Sequence, residues 1–297
     1  MITVENLTKT YGTRRAVDNL SFDVRSGRVT GFVGPNGSGK STTMRMMVGL
    51  TRPDDGHVHY NGTAYHQLDR PVATIGAALD ASAHPGRTAR DHLRTMCAAS
   101  GLARSRADEV LHEVGIGSVA DQRVGGFSLG MRQRLALAGA LLGEPETLLL
   151  DEPANGLDPD GIRWLRGFLR SYAERGGAVL VSSHLISELA LFADDLVVIG
   201  AGHLLTAAPV QEIVDNADHS VLVETPQRNE LIVLLGQHGI SVGEAGTRLT
   251  IAGASRSDIA QLALDHQIRL DELVDHRASL EDLLVDLTND AAEFTSA

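Results

Sequence analysis

Lys40 is one of only two lysines in a chain of 297 residues that carries 26 basic side chains. It stands in GPNGSGKS, Gly34 to Ser41, which fits the pattern G-x-x-x-x-G-K-[ST]. Lysine is so scarce here that chance alone rarely satisfies the pattern. Glycines at this spacing let the backbone turn tightly and aim N–H groups at phosphate oxygens. Gly34, Pro35, Asn36, Gly37, Ser38 and Gly39 supply that cradle. A helix starting at the lysine adds partial positive charge. The Lys40 ammonium is a compact point charge suited to β- and γ-phosphates, where a guanidinium is wider and favours bidentate partners. Ser41 offers a hydroxyl to Mg²⁺. By itself the pattern implies binding of a nucleoside triphosphate.

Four further stretches hold candidate chemistry. In ETLLLDEPANGLDP, Glu146 to Pro159, two carboxylates end a short apolar run. Asp151 is placed to hold Mg²⁺ through water. Glu152 points differently, because strand side chains alternate, and is a candidate general base. FSLGMRQRLALAGALL, from Phe127, reads as a helix capped by Ser128, with Gly130 permitting close backbone approach. That start is a candidate second anion site, although in isolation a capped amphipathic helix explains it better. GGAVLVSSHL is a strand followed by His184, a candidate hydrogen-bond partner for a γ-phosphate. Tyr11, in TKTYGTRRAV, lies in a short loop between strand-like runs. It is either a stacking partner for adenine or an edge aromatic covering the core.

These residues need elements to hold them. RVTGFV before the glycine loop reads as a buried strand, and KSTTMRMMVGL after it as a helix. Strand, glycine loop and helix is the arrangement that phosphate binding requires.

In this order and spacing the five stretches resemble the nucleotide-binding subunit of an ATP-binding cassette (ABC) transporter, over residues 1 to about 215. GPNGSGKST, through Thr42, is similar to the Walker A loop of that family. FSLGM is similar to its signature, usually written LSGGQ, with Ser128, Leu129 and Gly130 in its centre. LLLDEP is similar to Walker B with its glutamate, and NGLD to the D-loop, which ends in Asp158. His184 matches the switch histidine and Tyr11 the adenine-stacking aromatic.

The resemblance implies an α/β fold: a P-loop ATPase core with a mixed sheet and a helical subdomain. It implies ATP and Mg²⁺ as cofactors, hydrolysis assisted by Lys40, Glu152 and His184, and a head-to-tail homodimer. In that dimer the signature of one chain closes over ATP held by Lys40 of the other. An integral-membrane permease would follow the closing and opening. Two departures stand out. Leu129 and Met131 replace the usual Gly and Gln, a variant familiar among drug, antibiotic and polysaccharide exporters. In IGAALDAS, Asp80 stands where a glutamine normally touches Mg²⁺ and the lytic water; it remains a metal candidate beside Ser41 and Asp151.

The expected function is therefore the ATPase subunit of a membrane exporter. The alternative is a soluble ABC ATPase acting on DNA or ribosomes. DNA-repair members of the family need a long coiled coil between Walker A and the signature. Here 88 positions separate Lys40 from Ser128, without a heptad run. Ribosome-acting members usually join two cassettes in one chain. A net charge of −12 with no basic run also argues against nucleic acid. The single cysteine, Cys97, cannot form an intrachain disulfide, which fits a reducing compartment. No apolar run approaches the ~18 residues of a membrane span, and the N-terminus lacks a signal pattern. The expected location is cytoplasmic, peripheral on the membrane through the permease.

The expected domains are 1–215, with a helical insert at about 84–142, and a small α+β domain at 216–297. In the latter, SVLVET and TRLTIAG read as strands, and QRNELIVLLGQHG and SRSDIAQLALDHQ as helices. SLEDLLVDLTND reads as a last helix and AAEFTSA as a frayed end. This tail carries no chemical motif. It is a packing or dimer-stabilising appendage, or a regulatory or docking module.

Overall fold

The computed structural model describes residues 1–215, 219–246 and 248–277. The expected last helix and frayed end lie outside them. The chain divides into two compact units, one holding Met1–Gln211 and the other Glu212–Asp286.

The first unit opens with a hairpin, β1 (Ile2–Tyr11) and β2 (Arg14–Val24). Next come β3 (Val29–Val33) and α1 (Lys40–Met47). β4 (Asp55–Tyr60), β5 (Thr63–Ala64), the short α2 (Pro71–Thr74) and β6 (Ile75–Ala78) lead to three helices. These are α3 (Ala89–Ala99), α4 (Arg106–Glu113) and α5 (Leu129–Leu141). β7 (Thr147–Leu150), α6 (Pro159–Glu174), β8 (Ala178–Ser183) and α7 (Ile186–Ala190) follow. β9 (Asp195–Gly200) and β10 (His203–Pro209) complete the strands, and α8 (Val210–Asp215) starts at the unit's edge.

Two sheets form. One is antiparallel, in the order β2-β1-β4-β5; the other runs β10-β9-β3-β8-β7-β6. In the second, β9, β3, β8, β7 and β6 are mutually parallel and β10 is antiparallel at the edge. Every residue of β3, β7, β8 and β9 is buried. That matches near-continuous apolar runs such as VTGFV and AVLVSS, because both faces of this sheet are covered, one by α1 and the antiparallel sheet and the other by α6 and α7. The two sheets share a core. Phe22 of β2 stacks on Phe32 of β3 at 5.4 Å, and Met44 and Met47 of α1 are fully buried in the same cluster as Val4 and Leu20.

α3, α4 and α5 pack on one another. Thr88 caps α3, its hydroxyl accepting from the Asp91 N–H, and Arg90 bridges to Asp108 and Asp121. Cys97 is buried on α3, where burial pushes its thiol pKa up. α5 is held against β6 by Gly76, since a Cβ there would lie 2.0 Å from the Ala140 carbonyl oxygen. Arg134 of α5 stacks 3.9 Å over Trp164 of α6.

The second unit contains β11 (His219–Glu224), α9 (Arg228–Gln237), β12 (Ser241–Ala245), β13 (Arg248–Ala252), α10 (Arg256–Asp265) and β14 (Glu272–Arg277). Its sheet order is β12-β13-β11-β14, with every pairing antiparallel. A β-α-β-β-α-β chain in this order is a ferredoxin-like α+β fold. Val223, Leu231, Leu235, Leu249, Ile251 and Ile259 form its dry centre.

Candidate nucleotide-binding and hydrolytic site

β3, β7 and β8 are parallel neighbours, so the segments that follow them gather at one edge of the sheet. That is where open α/β sheets hold ligands. The glycine loop follows β3, Asp151 and Glu152 follow β7, and Ser183 and His184 lie at the end of β8.

The loop is shaped by close backbone contacts. A Cβ at Gly34 would sit 2.3 Å from the Ile199 carbonyl oxygen, and one at Gly39 would sit 2.5 Å from that of Ala16. Gly39 is also at φ +109°, closed to ordinary side chains. Ser38 is buried and its hydroxyl has no hydrogen-bond partner among the described residues. A buried hydroxyl without a partner costs free energy unless a ligand satisfies it. Pro35, Asn36 and Gly37 are exposed at the rim.

Lys40 is buried and donates to the carbonyl oxygens of Gly34 at 2.6 Å and Pro35 at 3.3 Å. Its ammonium lies 3.8 Å from Glu152 Oε1. Burial lowers the lysine pKa, and the charges of Glu152 and Asp151 oppose that shift. Ser41 is exposed on the first turn of α1, with Thr42 half-buried beside it.

The Asp151 carboxylate and the Glu152 backbone are held by a residue that the motifs do not mark. The Ser182 hydroxyl donates to Asp151 Oδ1 at 2.5 Å and accepts the Glu152 N–H at 2.8 Å. Glu152 has φ +49°, a left-handed conformation that a non-glycine residue adopts at a cost. Its Oε2 pairs with His184 Nδ1 at 2.8 Å and accepts from Asn155 Nδ2 at 3.4 Å. Lys40, Glu152 and His184 thus form one contiguous cluster. Asn155 and Ser182 had no sequence signal beyond lying within the DEPANG and SSH stretches.

Tyr11 is exposed at the end of β1, opposite Arg14 across the hairpin. Arg14 donates to the Gly37 carbonyl at 3.2 Å, which ties the hairpin tip to the phosphate loop. About half of Tyr11 is exposed, and the Lys9 ammonium lies 5.6 Å from its ring centroid.

Ser128 caps α5 by accepting the Met131 N–H at 3.2 Å. Leu129 is pressed against Gly156, where a Cβ would fall 2.1 Å from Leu129 Cδ2. Gly130 faces Leu157, with 3.2 Å left for a Cβ. Asp158 caps α6 through the Gly161 N–H at 2.8 Å. The signature stretch and NGLD therefore interlock within the chain. Among the described residues no hydrogen bond or ion pair joins Ser128, Leu129 or Gly130 directly to Lys40, Asp151 or Glu152. An indirect path exists: Gln133 of α5 donates to the Asn155 carbonyl at 3.4 Å, and Asn155 contacts Glu152.

Asp80 follows β6, whose last residue, Ala78, accepts the Asp151 N–H at 2.9 Å. Its own carboxylate turns into its loop, accepting from the Ser82 N–H at 2.9 Å and the Ser82 hydroxyl at 2.8 Å. No described contact joins it to Ser41 or Asp151.

A glycine cradle, a buried ammonium, a buried hydroxyl in want of a partner and two carboxylates define a nucleoside-triphosphate-binding cassette. A family model described as ABC transporter matches residues 17–155, and one described as a domain of unknown function matches 219–281. The chain is 35% identical to the uncharacterized ABC transporter ATP-binding protein YhcH of Bacillus subtilis, across 99% of this chain and 97% of that protein. It is 37% identical to the bacitracin transport ATP-binding protein BcrA of Bacillus licheniformis, across 80% and 79%. Among solved structures it is similar to the dimeric ATP-binding cassette MJ0796 in a post-hydrolysis state with ADP and Pi. That likeness has a TM-score of 0.65 and 25% identity, across 71% of this chain and 99% of that one. The chain belongs to the ATP-binding proteins of ABC transporters, an ATPase family whose cassettes bind ATP and ADP and pair as dimers. Among the described residues no helix is long and apolar enough to cross a membrane.

Proposed function

We propose that this chain is the ATPase subunit of an exporter and drives a separate membrane-spanning permease. The observation that carries the reading is the Lys40–Glu152–His184 cluster at the carboxyl edge of the parallel sheet, with the signature stretch held apart on α5. A site whose signature is not joined to its own phosphate loop suits a composite site completed by a second copy.

In this reading the loop from Gly34 to Thr42 receives the triphosphate. Ser38 gains the hydrogen bond that it lacks, and Lys40 moves its donors from the Gly34 and Pro35 carbonyls to phosphate oxygens. Tyr11 stacks on the adenine. Ser41 and Asp151 are hard oxygen donors that fit Mg²⁺, an ion that neutralises phosphate charge when bound. Asp80 joins them only if its loop releases Ser82. Glu152 takes a proton from the attacking water, and His184 orients the Glu152 carboxylate from 2.8 Å. Ser128, Leu129 and Gly130 of one subunit close on the nucleotide of its partner in a head-to-tail homodimer, with Asp158 at the seam. Closure on ATP and opening after hydrolysis move the permease, from a cytoplasmic position at the membrane. The acidic net charge and the transport role of the bacitracin relative favour this over a DNA- or ribosome-bound ATPase.

The test is a tagged pull-down from gently solubilised native membranes, with the partners identified by mass spectrometry. A stoichiometric polytopic membrane protein is expected. Recovery of soluble partners or ribosomes alone would overturn the transport reading while leaving the ATPase intact.

A further inference from the structure

On the outer face of the antiparallel sheet, away from the phosphate loop motifs, lie Glu5, His57 and His59. The alternation of β4 buries Val58 and Tyr60 and turns His57 and His59 outward, two positions apart on one face. Their ring centroids lie 4.6 Å apart, with the ring planes tilted by 59°. In register, Glu5 of β1 stands directly opposite His57, and its Oε2 meets His57 Nε2 at 2.5 Å. One ligand atom from each of the three lies within 4.8 Å of the others.

We propose that Glu5, His57 and His59 form a binding site for a Zn²⁺-class divalent transition-metal ion. Two imidazoles and a carboxylate are a donor set that suits zinc and its neighbours, with a remaining position open to water. Ligand atoms around a tetrahedral zinc stand about 3.3 Å apart, given bonds of roughly 2.0–2.1 Å. Glu5 and His57 are about half exposed, so small side-chain rotations close the set without moving the backbone. The backbone itself is fixed by the β1–β4 ladder, which runs from Ile2 opposite Tyr60 to Glu5 opposite His57. The ion would pin β1 to β4 across strands distant in sequence. It is separate from the Mg²⁺ that accompanies the nucleotide, whose candidate ligands are oxygen donors only.

The experiment is calorimetric titration of tag-free full-length chain with ZnCl₂ alone, without nucleotide, near neutral pH. One saturable equivalent is expected for the wild type. His57→Ala and His59→Ala should each weaken it by at least about tenfold, since even outer-shell partners of a metal are worth that much. Glu5→Gln should weaken it by less. These side chains face outward, and retained ATP binding by each variant checks its fold. Co²⁺ substitution gives a second readout: visible d–d absorption in the wild type that is lost in His57→Ala. No saturable Zn²⁺ binding by the wild type, or equal affinity in the His57→Ala/His59→Ala double variant, would overturn the proposal.

Discussion

The two units bury different things. Among the described residues, the first places Thr30, Ser38, Lys40, Thr43, Thr147, Ser182, Ser183 and Asp195 in its interior, whereas the second buries Ser220, outside its apolar cluster. The first also holds Glu152 at φ +49° within the Lys40–Glu152–His184 cluster, whereas the left-handed Gln267 of the second, at φ +55°, lies in a turn after α10 with no such cluster among the described residues. Buried polar groups and strained backbone cost stability, and a fold keeps them where they serve a ligand or a reaction. Ser38 without a partner and Glu152 at φ +49° mark such a place. The second unit has the economy of a packed sheet and two helices, with Ser255 and Asp258 forming a complete capping box on α10.

That contrast can be broken by mutation. The largest effect is expected from Glu152→Gln. Loss of a general base should lower kcat by about 10²- to 10⁴-fold, with ATP affinity and thermal stability nearly unchanged. A variant that hydrolyses ATP at the wild-type rate would remove Glu152 from the chemistry. Next is Leu235→Ala, which opens a cavity in the second unit and should cost about 2–5 kcal/mol there. Denaturation followed by hydrogen exchange should show strands β11 and β13 loosening while the first unit still binds ATP. Loss of ATP binding in step with that loosening would show that the units are not separable in function.

Lys40→Arg probes the same contrast from the polar side. Its ammonium makes a charged hydrogen bond of 2.6 Å in a buried space, so a guanidinium there should weaken ATP binding by about 10- to 150-fold, from roughly 1.5–3 kcal/mol per charged hydrogen bond. Fluorescent-nucleotide titration measures it, and unchanged affinity would mean that charge alone suffices at position 40. The smallest effect is expected from Ser255→Ala, which removes the α10 cap and should cost the second unit about 1 kcal/mol. Urea melts should detect that shift with ATPase activity unaltered.

Much of the core was legible because its signals are local. VTGFV, TLLL and AVLVSS read as apolar runs and became buried parallel strands; the glycine spacing around Lys40 became the loop. In the second unit the apolar runs SVLVE and RLTIA lie in the two inner strands, β11 and β13. The sequence reading missed β12 and β14, which are the two edges of that sheet. SVGEA and ELVDHR are short, polar or charged, as edge strands are when they must resist pairing with another chain. Such residues dilute the alternation by which a strand is recognised.

The amino-acid sequence by itself determined which groups can do chemistry here: a lone loop lysine, paired carboxylates at 151 and 152, a histidine after a strand, and an acidic residue at position 80. These follow from residue type and neighbouring residues, which folding does not change. Only the tertiary structure decided which groups meet. It brought His184 onto Glu152 across 32 positions, let one hydroxyl at Ser182 hold both the Asp151 carboxylate and the Glu152 N–H, and set Gln133 on the Asn155 carbonyl. Such contacts depend on strand order and register, which are settled by packing the whole sheet and are not written in any one segment.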